Sequence, residues 1–261
     1  MAEEMPWEDG ANMSKTFLNS DKAILTTMVQ ADNPTRIIDL MDKADTNGAE
    51  AFGIQFEKMK SEFRTPEIYR QLFNHSNKPI YVTNYRYGHN EGKSDEVLAK
   101  ELLELADCGA TLCDVMGDYF DTQPDEFTKD EKAINKQKEL INCLHNKGVE
   151  VLMSSHIFEF TNAERVLEIA MEHQRRGADI CKIVTGADTM QQQFENLKII
   201  DLLKRELEIP FLFLSVGECR ILRRISGEIG CCMYLCVQEY DDLATPQQPL
   251  LENVKAIRDN M

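Results

Sequence analysis

The sequence predicts a single (β/α)8 barrel. Three observations carry that expectation. Eight short apolar runs are spread through 261 residues, longer amphipathic stretches separate them, and glycines stop several of those stretches just before the next apolar run. An open doubly wound sheet is the competing arrangement. No GxGxxG follows a strand-like run and no GxxxxGK[ST] occurs, so the nucleotide-fold fingerprints are absent.

The strand-like runs are AILTTMV (23–29), AEAFGIQF (49–56), PIYVTNY (79–85), ATLCDVM (110–116), VEVLMSS (149–155), ADICKIV (178–184), PFLFLSV (210–216) and GCCMYLC (230–236). The first helix is expected over 34–47, with Pro34 at its start and apolar residues at 37, 38, 41 and 44. The next is expected over 94–108, opening on Ser94. Residues 131–147 and 161–176 behave alike, the second with Thr161 and Glu164 in capping-box spacing. Residues 189–207 and 249–260 complete the set. Gly48, Gly109, Gly148 and Gly177 stand where helices should stop, because glycine adopts the left-handed conformation a helix C-terminus requires. The acidic first twenty residues are expected to be a mobile extension, leaving 21–261 as the catalytic barrel.

The balance of 29 basic and 45 acidic side chains gives a net charge of −16. That charge speaks against nucleic-acid binding and against adhesion to anionic membranes. It leaves room for a basic pocket that takes a small anion. The eight cysteines form no CxxC pair, and most sit in apolar runs, as expected of buried, reduced thiols. The start, MAEEMPWEDGANMS, lacks the basic and apolar regions of a signal peptide, and no apolar run approaches the length of a membrane span. A cytoplasmic protein is the expectation.

In a barrel of this kind, chemistry lies at the C-terminal ends of the strands. Polar residues there include Arg86 after the third strand, His156 after the fifth, Lys182 within the sixth, and Arg220, Arg223 and Arg224 after the seventh. Gln247 and Gln248 follow the eighth. Strand alternation places Lys182 on one face with Ile180 and Val184. An amine buried there favours its uncharged, nucleophilic form; the alternatives are a snorkelling lysine or one paired with a carboxylate. A lone histidine is more often structural. A lysine and a histidine on adjacent strands, however, supply the minimum for imine chemistry.

Taken together, these segments resemble the type I 3-dehydroquinate dehydratases over residues 22 to 260. VLMSSHIFEFT is similar to the family segment with the catalytic histidine, and GADICKIV to its Schiff-base lysine segment. LSVGECRILRRISGEIG resembles the seventh unit, with Arg224 three residues before Gly227. YRYGHNEG resembles the arginine segment after strand three, through Arg86, and ATPQQ the loop after strand eight, through Gln248. The resemblance implies that Lys182 attacks a ring ketone to form an imine and that His156 moves protons during elimination of water and also while the imine forms and breaks. It implies that Arg86, Arg224 and Gln248 bind substrate, with Arg224 and Gln248 on its carboxylate. No metal or organic cofactor is expected. The expected partner is a small anionic keto acid, met in aromatic amino-acid synthesis or quinate breakdown, with room for a homodimer.

Departures from the family pattern fall in one pocket. Gly53 and Gln55 replace a glutamate and an arginine of strand two, while Glu57 keeps the acid beyond. Strand four keeps Asp114 but has Met116 in place of a glutamate. Ala244 replaces a hydroxyl residue, and Ile157 an acidic one. Gly53 is expected to open volume, Gln55 to remove a charge, and Arg86 to be released for an anion or for a different oxygen of the substrate. Such changes alter substrate choice more than reaction type. Expected activity on 3-dehydroquinate is therefore weak or absent relative to a family member with the full set. The alternatives are an imine-forming dehydratase or aldolase of another hydroxylated keto acid, or a non-catalytic barrel that binds a small carboxylate.

Overall fold

A computed structural model describes residues 15–18 and 20–261. Eight strands form: β1 (Ile24–Val29), β2 (Ala51–Gln55), β3 (Ile80–Thr83), β4 (Leu112–Met116), β5 (Glu150–His156), β6 (Ile180–Gly186), β7 (Phe211–Val216) and β8 (Met233–Cys236). Each falls on or over one of the apolar runs. They make one parallel sheet in the order β7-β6-β5-β4-β3-β2-β1-β8. The (β/α)8 barrel is nearly closed. At the β7–β8 seam the Cys232 N–H donates to the Phe211 carbonyl at 2.9 Å. Beside it, the Phe213 N–H donates to the Cys231 thiol at 3.3 Å, so a side chain stands in for a ladder bond.

Eight α-helices alternate with the strands: α1 (Pro34–Thr46), α2 (Pro66–Asn74), α3 (Asp95–Cys108), α4 (Glu131–Asn146), α5 (Ala163–Arg176), α6 (Met190–Glu206), α7 (Leu222–Ile229) and α8 (Leu251–Asn260). Gly48, Gly109, Gly148 and Gly177 all have positive φ, from 75° to 114°, in agreement with their reading as helix stops. The expected cap of α5 moves by one residue. Asn162, not Thr161, accepts from the Arg165 N–H. The reciprocal capping box instead opens α6, between Thr189 and Gln192. Helices α2 and α7 are short, nine and eight residues, and carry too few turns for a readable period.

Part of the expected N-terminal extension is packed. Phe17 is buried, its ring meets Tyr81 edge-on at 6.5 Å, and its N–H donates to Glu150 at 2.8 Å. Lys15 donates to the Ser76 carbonyl at 2.8 Å. Phe17 shares a cluster with the interior residues Ile24, Tyr81, Leu112, Leu152 and Ile180, and so stops the end of the barrel opposite the strand C-termini. The rest of the expected extension, residues 1–14 and 19, lies outside the described residues.

Five of the eight cysteines are buried, and Cys143 is exposed. No helix among the described residues is long and apolar enough to cross a membrane.

Candidate active site

Strand register sets the floor of the site. Met116 pairs with Ser154, Ser154 with Lys182, and Lys182 with Leu212 across β4 to β7. These side chains share the inward face, and His156 stands two residues further along β5 on the same face. Above them opens a cavity of about 700 Å³ at the C-terminal ends of the strands. Lys182, His156, Arg86, Gln247 and Gln248 all line it.

Lys182 is 4% exposed, and it is not alone. Its Nζ donates to the Tyr85 hydroxyl at 2.7 Å, to the Tyr81 hydroxyl at 3.1 Å and to Asp114 Oδ2 at 3.3 Å. The carboxylate-paired arrangement left open from the sequence is therefore the one adopted. Asp114 in turn accepts from both phenols and from Ser154. Burying a carboxylate is costly unless its lone pairs are filled, and three hydroxyls and an amine fill them here. Burial, and then the Asp114 charge, push both phenols well above their usual titration range, so they remain O–H donors.

His156 is held by Glu126, which reaches in from the loop before α4. Glu126 Oε2 accepts from His156 N at 3.0 Å and meets Nδ1 at 2.7 Å. The Nδ1 proton is thereby fixed toward Glu126, leaving Nε2 for a substrate. Glu126 itself has φ +47°, a left-handed conformation that a non-glycine residue adopts at some cost. The Tyr85 ring stands edge-on to the His156 ring at 5.2 Å, so one phenol touches both expected catalytic groups.

The arginines depart from expectation. Arg224 is exposed on α7, and its Nη1 donates to the Arg220 carbonyl at 3.2 Å. The structure does not bring it into the cavity. Arg223, one residue earlier, lines the cavity and is 6% exposed. A helix turns about 100° per residue, so a one-residue offset moves a side chain from the barrel to solvent. Arg223 Nε donates to the Ser215 carbonyl at 2.7 Å; its Nη groups have no partner among the described residues. Burial, with the nearby Arg220 charge, lowers its pKa to about 10, so it remains a cation near neutrality.

Arg86 is not released. It forms a two-pronged pair with Asp95 at 2.8 and 2.9 Å and donates to Asp118 at 2.7 Å. Against the opposing effect of burial, those two carboxylates hold its pKa above the usual arginine value. It lines the cavity as a neutralised strut rather than an open anion site.

Nor does Gly53 open volume. A Cβ built there would lie 2.2 Å from Met28 Sδ and 3.1 Å from a Tyr81 ring carbon. Met28 and Tyr81 fill the space that a strand-two side chain would take. Gln55 lines the cavity, and its buried Oε1 has no partner among the described residues. Glu57 is fully buried behind it, accepting from Thr83 and from the Tyr87 hydroxyl at 2.9 Å. Burial raises its pKa, with those hydrogen bonds opposing. In the loop after β8, Gln248 accepts from Gln30 at 2.8 Å, which anchors the loop over the cavity.

No group of three or more potential metal-binding side chains occurs among the described residues. Tyr81, Tyr85, Glu126 and Arg223 were not singled out from the sequence as substrate or catalytic groups. Parity offered a signal for two of them. Tyr81, Thr83 and Tyr85 alternate along β3 and just beyond it, so a tyrosine on the inward face at 81 implies another at 85.

Comparison with known proteins fits this geometry. The profile of the type I 3-dehydroquinase family matches residues 25–257. A 3-dehydroquinate dehydratase of Lactiplantibacillus plantarum is 25% identical over 148 residues, 55% of this chain and 57% of the relative. One from Alkaliphilus oremlandii is 32% identical over 92 residues, 34% of this chain and 36% of the relative. The chain thus spans only 36% to 57% of the length of these two relatives. The 3-dehydroquinate dehydratase structure from Geobacillus kaustophilus superposes with a TM-score of 0.81 at 15% identity, covering 94% of this chain and 95% of the other. The type I enzyme of Clostridium difficile, determined with covalently modified comenic acid, gives 0.77 at 16% identity, covering 92% and 93%. These two structures share the fold of this chain.

Proposed function

Because the chain belongs to the type I 3-dehydroquinase family, we propose that it is a Schiff-base hydro-lyase that removes water from a cyclic hydroxy-keto acid. The observation that carries this reading is Lys182, a buried amine at the floor of the cavity, within one phenol of His156. Lys182 attacks the ring ketone and loses water, leaving a protonated imine. The iminium draws electrons from the adjacent carbon, so a proton there becomes acidic. His156 Nε2 removes it, and the enamine expels the hydroxyl group, which takes a proton from the same imidazole. Hydrolysis then frees the enone and the lysine.

The substrate carboxylate goes to Arg223 and Gln248. Arg223 lines the cavity, its Nη groups have no partner among the described residues, and a guanidinium matches a carboxylate with two parallel hydrogen bonds. The ring lies against Met28, Met116 and Gln55, which carry no charge. A site of that kind discriminates against a substrate whose hydroxyls demand an ionic partner. This supports a keto acid that differs from 3-dehydroquinate at that end of the ring, and weak turnover of 3-dehydroquinate itself.

Enone formation, followed by ultraviolet absorbance, tests the reading. Wild-type protein is expected to convert 3-dehydroquinate slowly and a less hydroxylated cyclic keto acid faster, and Lys182→Met to convert neither. Absence of any enone from both classes of substrate would defeat the proposal. Turnover of 3-dehydroquinate at the rate of an ordinary family member would defeat the specificity argument alone.

A further inference from the structure

We propose that Tyr85 is a catalytic residue, whose phenol relays to Asp114 the proton that Lys182 must lose before it can attack a carbonyl. The inference rests on Lys182 being the imine-forming amine and adds the route by which that amine is activated.

The contacts define the route. Lys182 Nζ donates to the Tyr85 oxygen at 2.7 Å, and Tyr85 donates its own hydrogen to Asp114 Oδ2. The direct path from Nζ to the same carboxylate oxygen is longer, 3.3 Å. Tyr81 makes a parallel pair of contacts, with Nζ at 3.1 Å. The two phenols differ in place. Tyr85 lines the cavity, whereas Tyr81 is fully buried beneath it against Phe17. Tyr81 is therefore a positioning residue, and Tyr85 the phenol that meets a substrate.

The proton balance closes. The ammonium passes a proton to the Tyr85 oxygen as the Tyr85 proton passes to Asp114, leaving an amine, an unchanged phenol and a carboxylic acid. The nitrogen lone pair then forms the N–C bond, and the C=O π electrons move to oxygen. Asp114 returns its proton through Tyr85 to that oxygen and accepts the next proton from nitrogen. A second return completes the departing water. Two ammonium protons thus leave with the carbonyl oxygen, and the third stays on the iminium nitrogen. No external acid, base or oxidant is consumed. His156, whose Nδ1 is occupied by Glu126, is left for the carbon-bound proton.

The probe is 2,4-pentanedione, a 1,3-diketone that condenses with an uncharged amine to an ultraviolet-absorbing vinylogous amide. Labelling of wild-type protein is expected at Lys182, shown by peptide mass and by its loss in Lys182→Met. Tyr85→Phe should slow labelling by about 10²-fold, the lower end for acid–base groups. It should also make the rate climb with pH where wild type is flat, since hydroxide replaces the relay. Tyr81→Phe, which keeps the cavity phenol, should slow it several-fold at most, with the wild-type pH profile. A purely structural role for Tyr85 would lower melting temperature or labelled fraction without altering the pH profile. Should Tyr85→Phe not fold, the wild-type labelling rate in H2O–D2O mixtures replaces it. A bowed dependence shows more than one proton in flight, and a linear one overturns the relay. Equal rates and pH profiles in wild type and Tyr85→Phe also overturn it, while leaving the imine reading intact. An unlabelled Lys182 in wild type, by the diketone and by borohydride with 3-dehydroquinate alike, overturns both.

Discussion

On the β3–β6 side of the cavity, Lys182, Asp114, Ser154, Tyr81, Tyr85, Arg86 and His156 are all bonded to protein partners. On the β7, β8 and β2 side, among the described residues, Arg223 bonds only through Nε and the buried Gln55 Oε1 has no partner. The first side is fixed before a substrate arrives, as a reacting centre has to be if its dipoles are not to reorganise during the step. The second side keeps donors and acceptors in reserve. Leaving a buried polar group unmade costs about 1–3 kcal/mol, and a ligand that fills it recovers that cost. On the proposed reading, reaction type is therefore set by one wall and substrate choice by the other.

Breaking the bonded side should have the largest effect. Lys182→Met keeps the volume and removes the amine, so turnover should fall to background. Removing one partner of a buried ion pair costs about 3–5 kcal/mol. Because three hydroxyls still hold Asp114, the loss read by denaturant unfolding should lie at or below the lower end of that range. His156→Ala should lower kcat by about 10² to 10⁴-fold, the range for general acid–base groups. Turnover within a few-fold of wild type would make His156 structural.

The reserve side should respond in binding instead. Arg223→Ala should raise KM for an acid substrate by about 10- to 100-fold, since charged hydrogen bonds contribute about 1.5–3 kcal/mol, with kcat much less affected. Arg224→Ala should change KM less than two-fold. The reverse result would restore the assignment made from the sequence and would show that α7 is rotated by one residue. A smaller effect is expected of Gly53→Glu. The new side chain must displace Met28, and overpacking of this kind costs about 1–3 kcal/mol. Unchanged stability would show that the strand-two pocket is open after all.

A last prediction concerns pH and a histidine away from the cavity. His173 is fully buried beside Ser155 and Cys181, and burial, with the Arg176 charge, lowers its pKa to about 3 from 6.5. Between those values the unfolded chain binds a proton that the folded chain does not. The stability His173 contributes is complete above 6.5 and is lost as pH falls toward 3, by at most about 1.4 kcal/mol per pH unit. His173→Gln should flatten that acid limb in unfolding measurements.

Most of the barrel could be read because its signals are local. Apolar runs marked β1 to β8, and four glycines of positive φ marked helix ends. Helix α2 carries a local signal of its own, Thr65 capping the helix with Pro66 at its first position. Helix α7 has no side-chain cap and contains Gly227, so local chemistry announces it poorly. Within the site, Lys182, His156, Arg86 and Gln248 were found and do line the cavity. The family motif points to Arg224 because a motif fixes position along the chain, whereas the helix phase decides which of two adjacent arginines faces inward, here Arg223. Glu126 lies thirty positions before His156 in a loop, and no periodicity could join them. The filling of Gly53 by Met28 is a packing fact between β1 and β2 and has no local trace.

Covalent capture at Lys182 tests the central claim most directly. Protein incubated with 3-dehydroquinate, or with comenic acid, the compound named with the Clostridium difficile structure, is treated with borohydride, digested and mapped by mass. The account predicts a non-exchangeable added mass on the Lys182 peptide, absent from Lys182→Met. Label on another lysine, or none with any keto acid the protein turns over, would contradict it.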